Sequence, residues 1–204
     1  MSSFLETELL VRIGDLRRSR SQLPVTRGGH GLFFGRAPGP APMQGCLVRD
    51  GLSLLYIGTA GADQGKNGTL RNRLGDHHLG GNERRSTVCQ TLAALMPEVA
   101  GAAVARNERG RIKFHTSGEG AVRLRQWMDQ HIAACWIADP RPADLESGLV
   151  QYYQPPLNIE FNRHRFVIEL QALRSRRRET CVSGQAGAGA GEARGQAPDA
   201  AGVA

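Results

Sequence analysis

The chain has 204 residues, with 26 Lys and Arg against 19 Asp and Glu, a formal net charge of +7. That length suits one domain with an appendage, and 40% apolar residues suffice for a core. No apolar run approaches the ~18 residues of a membrane span, and the start MSSFLETELL lacks a basic then apolar leader, so the expected location is cytoplasmic. Cysteines 46, 89, 135 and 181 are scattered without a C-x-x-C, which argues against a zinc knuckle and for separate reduced thiols. The positive balance suits a polyanionic partner. All basic residues except Lys66 and Lys113 are arginine, a side chain that binds phosphate through two parallel hydrogen bonds.

Residues 4–19 carry helical spacing in Phe4, Leu5, Leu9, Ile13 and Leu16. Residues 1–29 are thus expected to form an N-terminal helix and a linker. Leu32-Phe33-Phe34 and Leu52 to Ile57 predict two strands of an antiparallel hairpin, joined through the Pro/Gly-rich stretch 36–45. Thr69 to His78 reads as a helix with Leu70 and Leu74 on one face, and Ser86 as the N-cap of a helix from Thr87 to Met96. Ile112 to His115 predicts a strand, Glu119 to Ala134 an amphipathic helix, and Cys135-Trp136-Ile137 a further strand. Trp127 and His131 are assigned to the core face of that helix. A helix from about Ala143 to Tyr153 should stop at Pro155-Pro156, and Phe166 to Arg178 forms the last one. From about Thr180 the chain is Gly, Ala, Gln and Pro without aromatics, a composition expected to stay disordered. The expected domain is therefore 30–178, with a tail at 179–204. The expected class is α+β: a small antiparallel sheet flanked by helices.

Four segments carry chemistry. They are Gly31-Leu32-Phe33, then Leu55-Tyr56-Ile57-Gly58, then Leu70 to His77, and finally Glu146 to Val150 followed by Pro155-Pro156-Leu157-Asn158. Their order and content resemble the GIY-YIG nuclease superfamily over roughly Gly31 to Asn162. That group includes the incision domain of bacterial excision repair and several homing and restriction endonucleases. Further stretches, among them Ser86-Thr87, Trp127-Met128 and Asn162-Arg163-His164, are similar to a stand-alone bacterial branch of it.

The resemblance implies a metal-dependent endonuclease acting on nucleic acid, with DNA the expected substrate. It casts Tyr56 as general base, Arg73 and His77 as further catalytic groups, and Glu146 as the ligand of Mg²⁺ or Mn²⁺. Gly58, Lys66, Arg71 and Asn158 are the candidate substrate-contacting residues. The residue chemistry agrees. An arginine fork suits phosphate, and one helix carboxylate plus substrate oxygens suits Mg²⁺. A free phenol has a pKa near ~10, so Tyr56 would need a nearby cation such as Arg73 to lower it. His77, four residues after Arg73, would share its helix face. Each residue also has an ordinary alternative: a strand aromatic for Tyr56, solvated helix residues for Arg73 and Glu146, a structural imidazole for His77, and a turn residue for Asn158. Two positions depart from the pattern. Phe33 stands where the first motif usually ends in tyrosine, and Thr59 where the repair enzymes often carry lysine. Both departures remove polar groups, which keeps open a second reading, a binding module on this fold with weakened turnover.

Overall fold

The computed structural model describes residues 9–19, 21, 23–26, 28–36, 38, 47–61, 68–78, 86–108, 111–139 and 141–183. Side chains are described for all of these except 76–77, 106–108, 111–113 and 182–183. Among the described residues the strands are β1 (Val11–Arg12), β2 (Gly29–Gly35), β3 (Val48–Arg49), β4 (Leu52–Ala60), β5 (Ala103–Glu108), β6 (Arg111–Thr116), β7 (Ile132–Ala138) and β8 (Val182–Ser183). The helices are α1 (Ile13–Arg18), α2 (Asn72–His78), α3 (Thr87–Leu95), α4 (Pro97–Ala100), α5 (Gly118–His131), α6 (Pro142–Tyr153) and α7 (Phe166–Glu179). The class is α+β, as the sequence predicts. A five-stranded antiparallel sheet runs in the order β1-β7-β2-β4-β3, and a smaller sheet in the order β6-β5-β8.

β2 lies at the centre of the larger sheet and is buried along its whole length. Alternation of side chains across a strand divides the core in two. One face carries Phe33, Leu55 and Tyr56 against Leu70, Leu74, Val88, Leu92, Leu124 and Met128. The other carries Leu32, Phe34, Leu54 and Ile57 against Val150 and Tyr153 of α6. The expected pairing of the first two long strands holds, and its register sets Gly31 opposite Gly58 and Phe33 opposite Tyr56. Strand β4 runs past Gly58 to Ala60, where the sequence suggests a stop at that glycine. The reason is local crowding. A side chain at Gly31 would overlap Leu74, and a Cβ at Gly58 would lie 2.9 Å from the Tyr56 ring and 3.1 Å from His78 Nε2. Gly58 therefore makes room within the strand rather than ending it.

Several expectations shift. The N-terminal helix begins only at Ile13, because Val11 and Arg12 pair with β7 as an edge strand, and residues 1–8 lie outside the described set. Ile13, Leu16 and Leu23 pack into the same core as Phe33 and Tyr56, and Arg17 bonds Asp129 of α5 at 2.9 Å. The amphipathic helix α5 stops at His131, where the chain turns directly into β7. His131 is exposed rather than core; it stacks on half-buried Trp127 with ring centroids 4.7 Å apart. Strands β3, β5 and β8 have no counterpart among the predicted elements. β3 joins β4 through Asp50-Gly51, both at positive φ (49° and 71°), the geometry of a tight type I′ hairpin. Val182–Ser183 pairs in parallel with β5, so the described start of the expected tail is a short strand; residues 184–204 lie outside the described set. Cys89, Cys135 and Cys181 are free thiols, as expected, and Cys46 is among the residues not described. No helix among the described residues is long and apolar enough to cross a membrane.

Candidate active site

The site is built around one edge of β4. β3 and Leu47 before it cover this edge as far as Leu54, whose N–H donates to Leu47 O at 2.7 Å, and the groups from Leu55 on need other partners. An open strand edge must satisfy its donors and acceptors some other way. The segment after Pro155-Pro156 does so. Leu157 N–H donates to Leu55 O at 2.9 Å. Asn158 then acts as a substitute strand residue: its Oδ1 accepts from Ile57 N–H at 2.8 Å and its Nδ2 donates to Ile57 O at 2.9 Å. Asn158 is buried at 6% exposure, and Asn162 Nδ2 ties the turn down on Pro155 O and Asn158 O. The C-terminus of α6 feeds this turn through Gln154 in the left-handed conformation (φ 46°), a usual way to end a helix before proline.

Tyr56 and Glu146 approach that edge from opposite faces of the sheet. Tyr56 sits on the larger core face, 5% exposed, its ring 5.9 Å from Phe33. Its hydroxyl is hydrogen-bonded with Thr87 at the start of α3. Glu146 lies on α6, at i, i+4 and i+7 with Val150 and Tyr153, and so on the helix face turned to the sheet. Its carboxylate accepts a hydrogen bond from Thr59. Arg73 of α2 is half-buried and acts electrostatically on both Tyr56 and Glu146. Exposed Glu160, two residues past Asn158, also acts on both.

The electrostatics differ from the sequence expectation. Burial pushes the Tyr56 phenol above its usual pKa; Arg73 and the Thr87 hydrogen bond pull it down, while Glu146 and Glu160 push it up further. The net direction is up, because removing the phenolate from water outweighs one partly exposed cation. Burial likewise raises the Glu146 carboxyl, with the Thr59 hydrogen bond and Arg73 opposing and Glu160 adding to the rise. A divalent cation fits this donor set. The part-buried Glu146 carboxyl is held above its ordinary pKa, and a bound cation would reverse that penalty. Hard oxygen donors suit Mg²⁺ or Mn²⁺. Among the described residues no cluster of three His, Cys, Asp or Glu could form a complete protein cage.

The remaining candidates fall into place unevenly. Gly58 lies in the site, packed against Tyr56 and His78. Arg71 is turned to the linker: its Nε and Nη2 donate to Leu23 O at 3.0 and 2.8 Å, and Nη2 also donates to Ser21 O at 3.1 Å. Lys66 lies in 62–67, outside the described residues, and the His77 side chain is likewise not described.

The segment carrying Arg73 and His77 is not an α-helix but a π-type helix. Its hydrogen bonds run i to i+5, which brings a residue five positions on below Arg73. That residue is His78, which the sequence reasoning missed. It is buried at 0% and set edge-on to Phe33 and Tyr56, with centroids 5.2 and 5.7 Å away. Its Nδ1 is 2.8 Å from Ser86 Oγ, the hydroxyl that also caps α3 by accepting from Cys89 N–H. Adjacent histidines at 77 and 78 were the available signal, and His78 is the one described against the tyrosine.

A family profile described as the GIY-YIG catalytic domain matches residues 37–179. The chain belongs to this family. The match starts after β2, so the first-motif role of Gly31 to Phe33 rests on its pairing with the Tyr56 strand. No curated protein and no solved structure matches the chain. The GIY-YIG catalytic domain is a nuclease-type phosphodiesterase domain, which implies a nucleic-acid substrate.

Proposed function

We propose that this chain is a divalent-metal-dependent endonuclease that hydrolyses phosphodiester bonds, with DNA as its substrate. The observation that carries the reading is the gathering of Tyr56, Arg73 and Glu146 about the β4 edge, each acting electrostatically on at least one of the others. Phosphodiester cleavage needs an aligned nucleophile, neutralised phosphate charge and a stabilised leaving oxygen. Arg73 would donate its guanidinium fork to non-bridging phosphate oxygens. Glu146 would hold Mg²⁺ or Mn²⁺, which supplies Lewis acidity at the phosphate when bound. Tyr56 would take the proton of the attacking water as its general base. Its raised pKa means that it reaches this state only once positive charge accumulates beside it, so catalysis would be coupled to assembly of the full complex. Asn158 fixes the spacing between the Tyr56 strand and the α6 carboxylate. Lys66 and His77 remain candidates for phosphate contact or proton transfer on the basis of the motif.

The raised Tyr56 phenol and the absence of a hydroxyl at Phe33 favour one alternative, a nucleic-acid-binding module with weakened turnover. Purified protein incubated with supercoiled plasmid, with and without Mg²⁺ or Mn²⁺, separates the two. The endonuclease reading expects metal-dependent nicking that Glu146→Ala removes while DNA binding stays. Salt-dependent binding without any nicking in either metal would overturn it.

A further inference from the structure

On the α6 face of the sheet lies a buried polar chain that the catalytic reading leaves unused. His30, the second residue of the central strand β2, is completely buried. It stands opposite Thr59 of β4, with Nδ1 3.2 Å from Thr59 Oγ1. On its other side, Nε2 is 3.5 Å from Asp139 Oδ2. Asp139 also accepts the Arg141 N–H through Oδ1 at 2.8 Å, and Arg141 is the residue from which α6 starts. Thr59, 8% exposed, is in turn the hydrogen-bond donor to Glu146. His30, Thr59 and Glu146 thus form a line from the central strand to the carboxylate on α6, while His30 Nε2 and Asp139 Oδ2 face each other without a hydrogen bond.

Buried polar groups are costly unless they hold one another in place. Thr59 has one proton and can rotate about its C–O bond. With its proton on Glu146, Thr59 Oγ1 still has lone pairs free, and His30 Nδ1, 3.2 Å away, is placed to donate to it as the Nδ1–H tautomer. Burial lowers the His30 pKa, with Asp139 pulling in the opposite direction. Asp139 meanwhile flanks the far side of the ring and fixes the loop that launches α6. We propose that His30 is a positioning residue for the metal site: it orients the Thr59 hydroxyl, which holds the Glu146 carboxylate in the rotamer that faces the cation and the scissile phosphate. This gives a role to Thr59, the position where the sequence departs from the lysine of related nucleases. The inference rests on the nuclease reading only in taking Glu146 as the metal ligand.

The test uses the full chain, with Mn²⁺ as probe, and compares wild type with Thr59→Val, Thr59→Ser and His30→Phe. Mn²⁺ binding to each protein is followed by loss of the free-ion electron paramagnetic resonance signal, and the half-saturating Mn²⁺ for plasmid nicking is measured alongside. Removing a group that orients a metal ligand typically weakens metal affinity about 10- to 100-fold. Thr59→Val and His30→Phe should fall in that range, and Thr59→Ser, which keeps the hydroxyl, should stay within about twofold of wild type. A purely structural role for the cluster would lower melting temperature and leave Mn²⁺ affinity where it was. Thr59→Val is nearly isosteric, so it decides the matter even if His30→Phe fails to fold. Wild-type affinity in folded Thr59→Val, in a wild type that nicks DNA, overturns the positioning role alone. Weakened Mn²⁺ binding in Thr59→Val, with a wild type that never nicks, sustains it and overturns the nuclease reading. A wild type that neither binds Mn²⁺ nor nicks DNA overturns both.

Discussion

The two faces of the five-stranded sheet use the same strands for different ends. On one face Tyr56 is enclosed by aromatic rings, Phe33 and His78, with Arg73 beyond. On the other, Glu146 meets a line of hydrogen-bonding groups through Thr59 and His30. An apolar cage shifts a phenol's pKa by desolvation and keeps its ring still. A polar line fixes a carboxylate's direction. The two faces meet only at the edge of β4, where Asn158 holds the spacing. The difference shows that placing a proton acceptor and placing a cation ligand are separate problems, solved on opposite sides of one strand.

The largest effect should come from the charged face. Glu146→Gln should reduce nicking by about 10³-fold or more, since a catalytic cation supplies several kcal/mol and each ~1.4 kcal/mol is tenfold. The same substitution should raise the melting temperature at neutral pH without metal. The folded Glu146 carboxyl has a raised pKa, so the folded state holds its proton more tightly than the unfolded one. The cost to stability is absent below the unfolded carboxyl pKa and builds as pH rises through it toward the folded value. The gain from glutamine should follow the same course; melting curves in acid and at neutral pH check it, and an equal gain at both would contradict the assignment.

The caged face should respond next. Tyr56→Phe should slow nicking by at least about 10²-fold, the lower range for losing a proton-transfer group, with Mn²⁺ affinity little changed. If Mn²⁺ binding falls as well, the two faces are not independent. The edge between them can be broken by Asn158→Ala. This leaves Ile57 N–H and C=O unsatisfied at about 1–3 kcal/mol each, so denaturant unfolding should show a clear loss of stability. The smallest effect is expected at Phe33→Tyr. Phe33 is completely enclosed, and a new hydroxyl there must find a partner or cost about 1–3 kcal/mol. A folded, more active Phe33→Tyr protein would show that the cage has room for the motif's usual tyrosine.

Much of this was legible in the sequence. Tyr56, Gly58, Arg73, Glu146 and Asn158 lie in short motifs, and the hydrophobic periods around them set the helices α3, α6 and α7 within a residue or two and found the long strands three residues short at one end. The Asp50-Gly51 hairpin was not read, although the pair suits two positive φ values. His78 was hidden because the sequence suggests an α-helix with four-residue spacing, whereas the chain adopts a π-type turn. Arg71 looked like a phosphate contact because nothing local reveals that the carbonyls of Ser21 and Leu23, some fifty residues earlier, would lie within its reach. His30 gave no local signal either: its partners Thr59 and Asp139 are far away in the chain.

By itself, then, the sequence determined the family, the α+β class and the residue types able to handle phosphate and a cation, because these depend on periodicity and on side-chain chemistry at fixed short spacings. The tertiary structure alone decided which face each group occupies, which histidine meets the tyrosine, which arginine is engaged elsewhere and in which direction the Tyr56 and Glu146 pKa values move. Those outcomes depend on desolvation and on contacts between segments distant in sequence, and neither exists until the sheet has closed over its two cores.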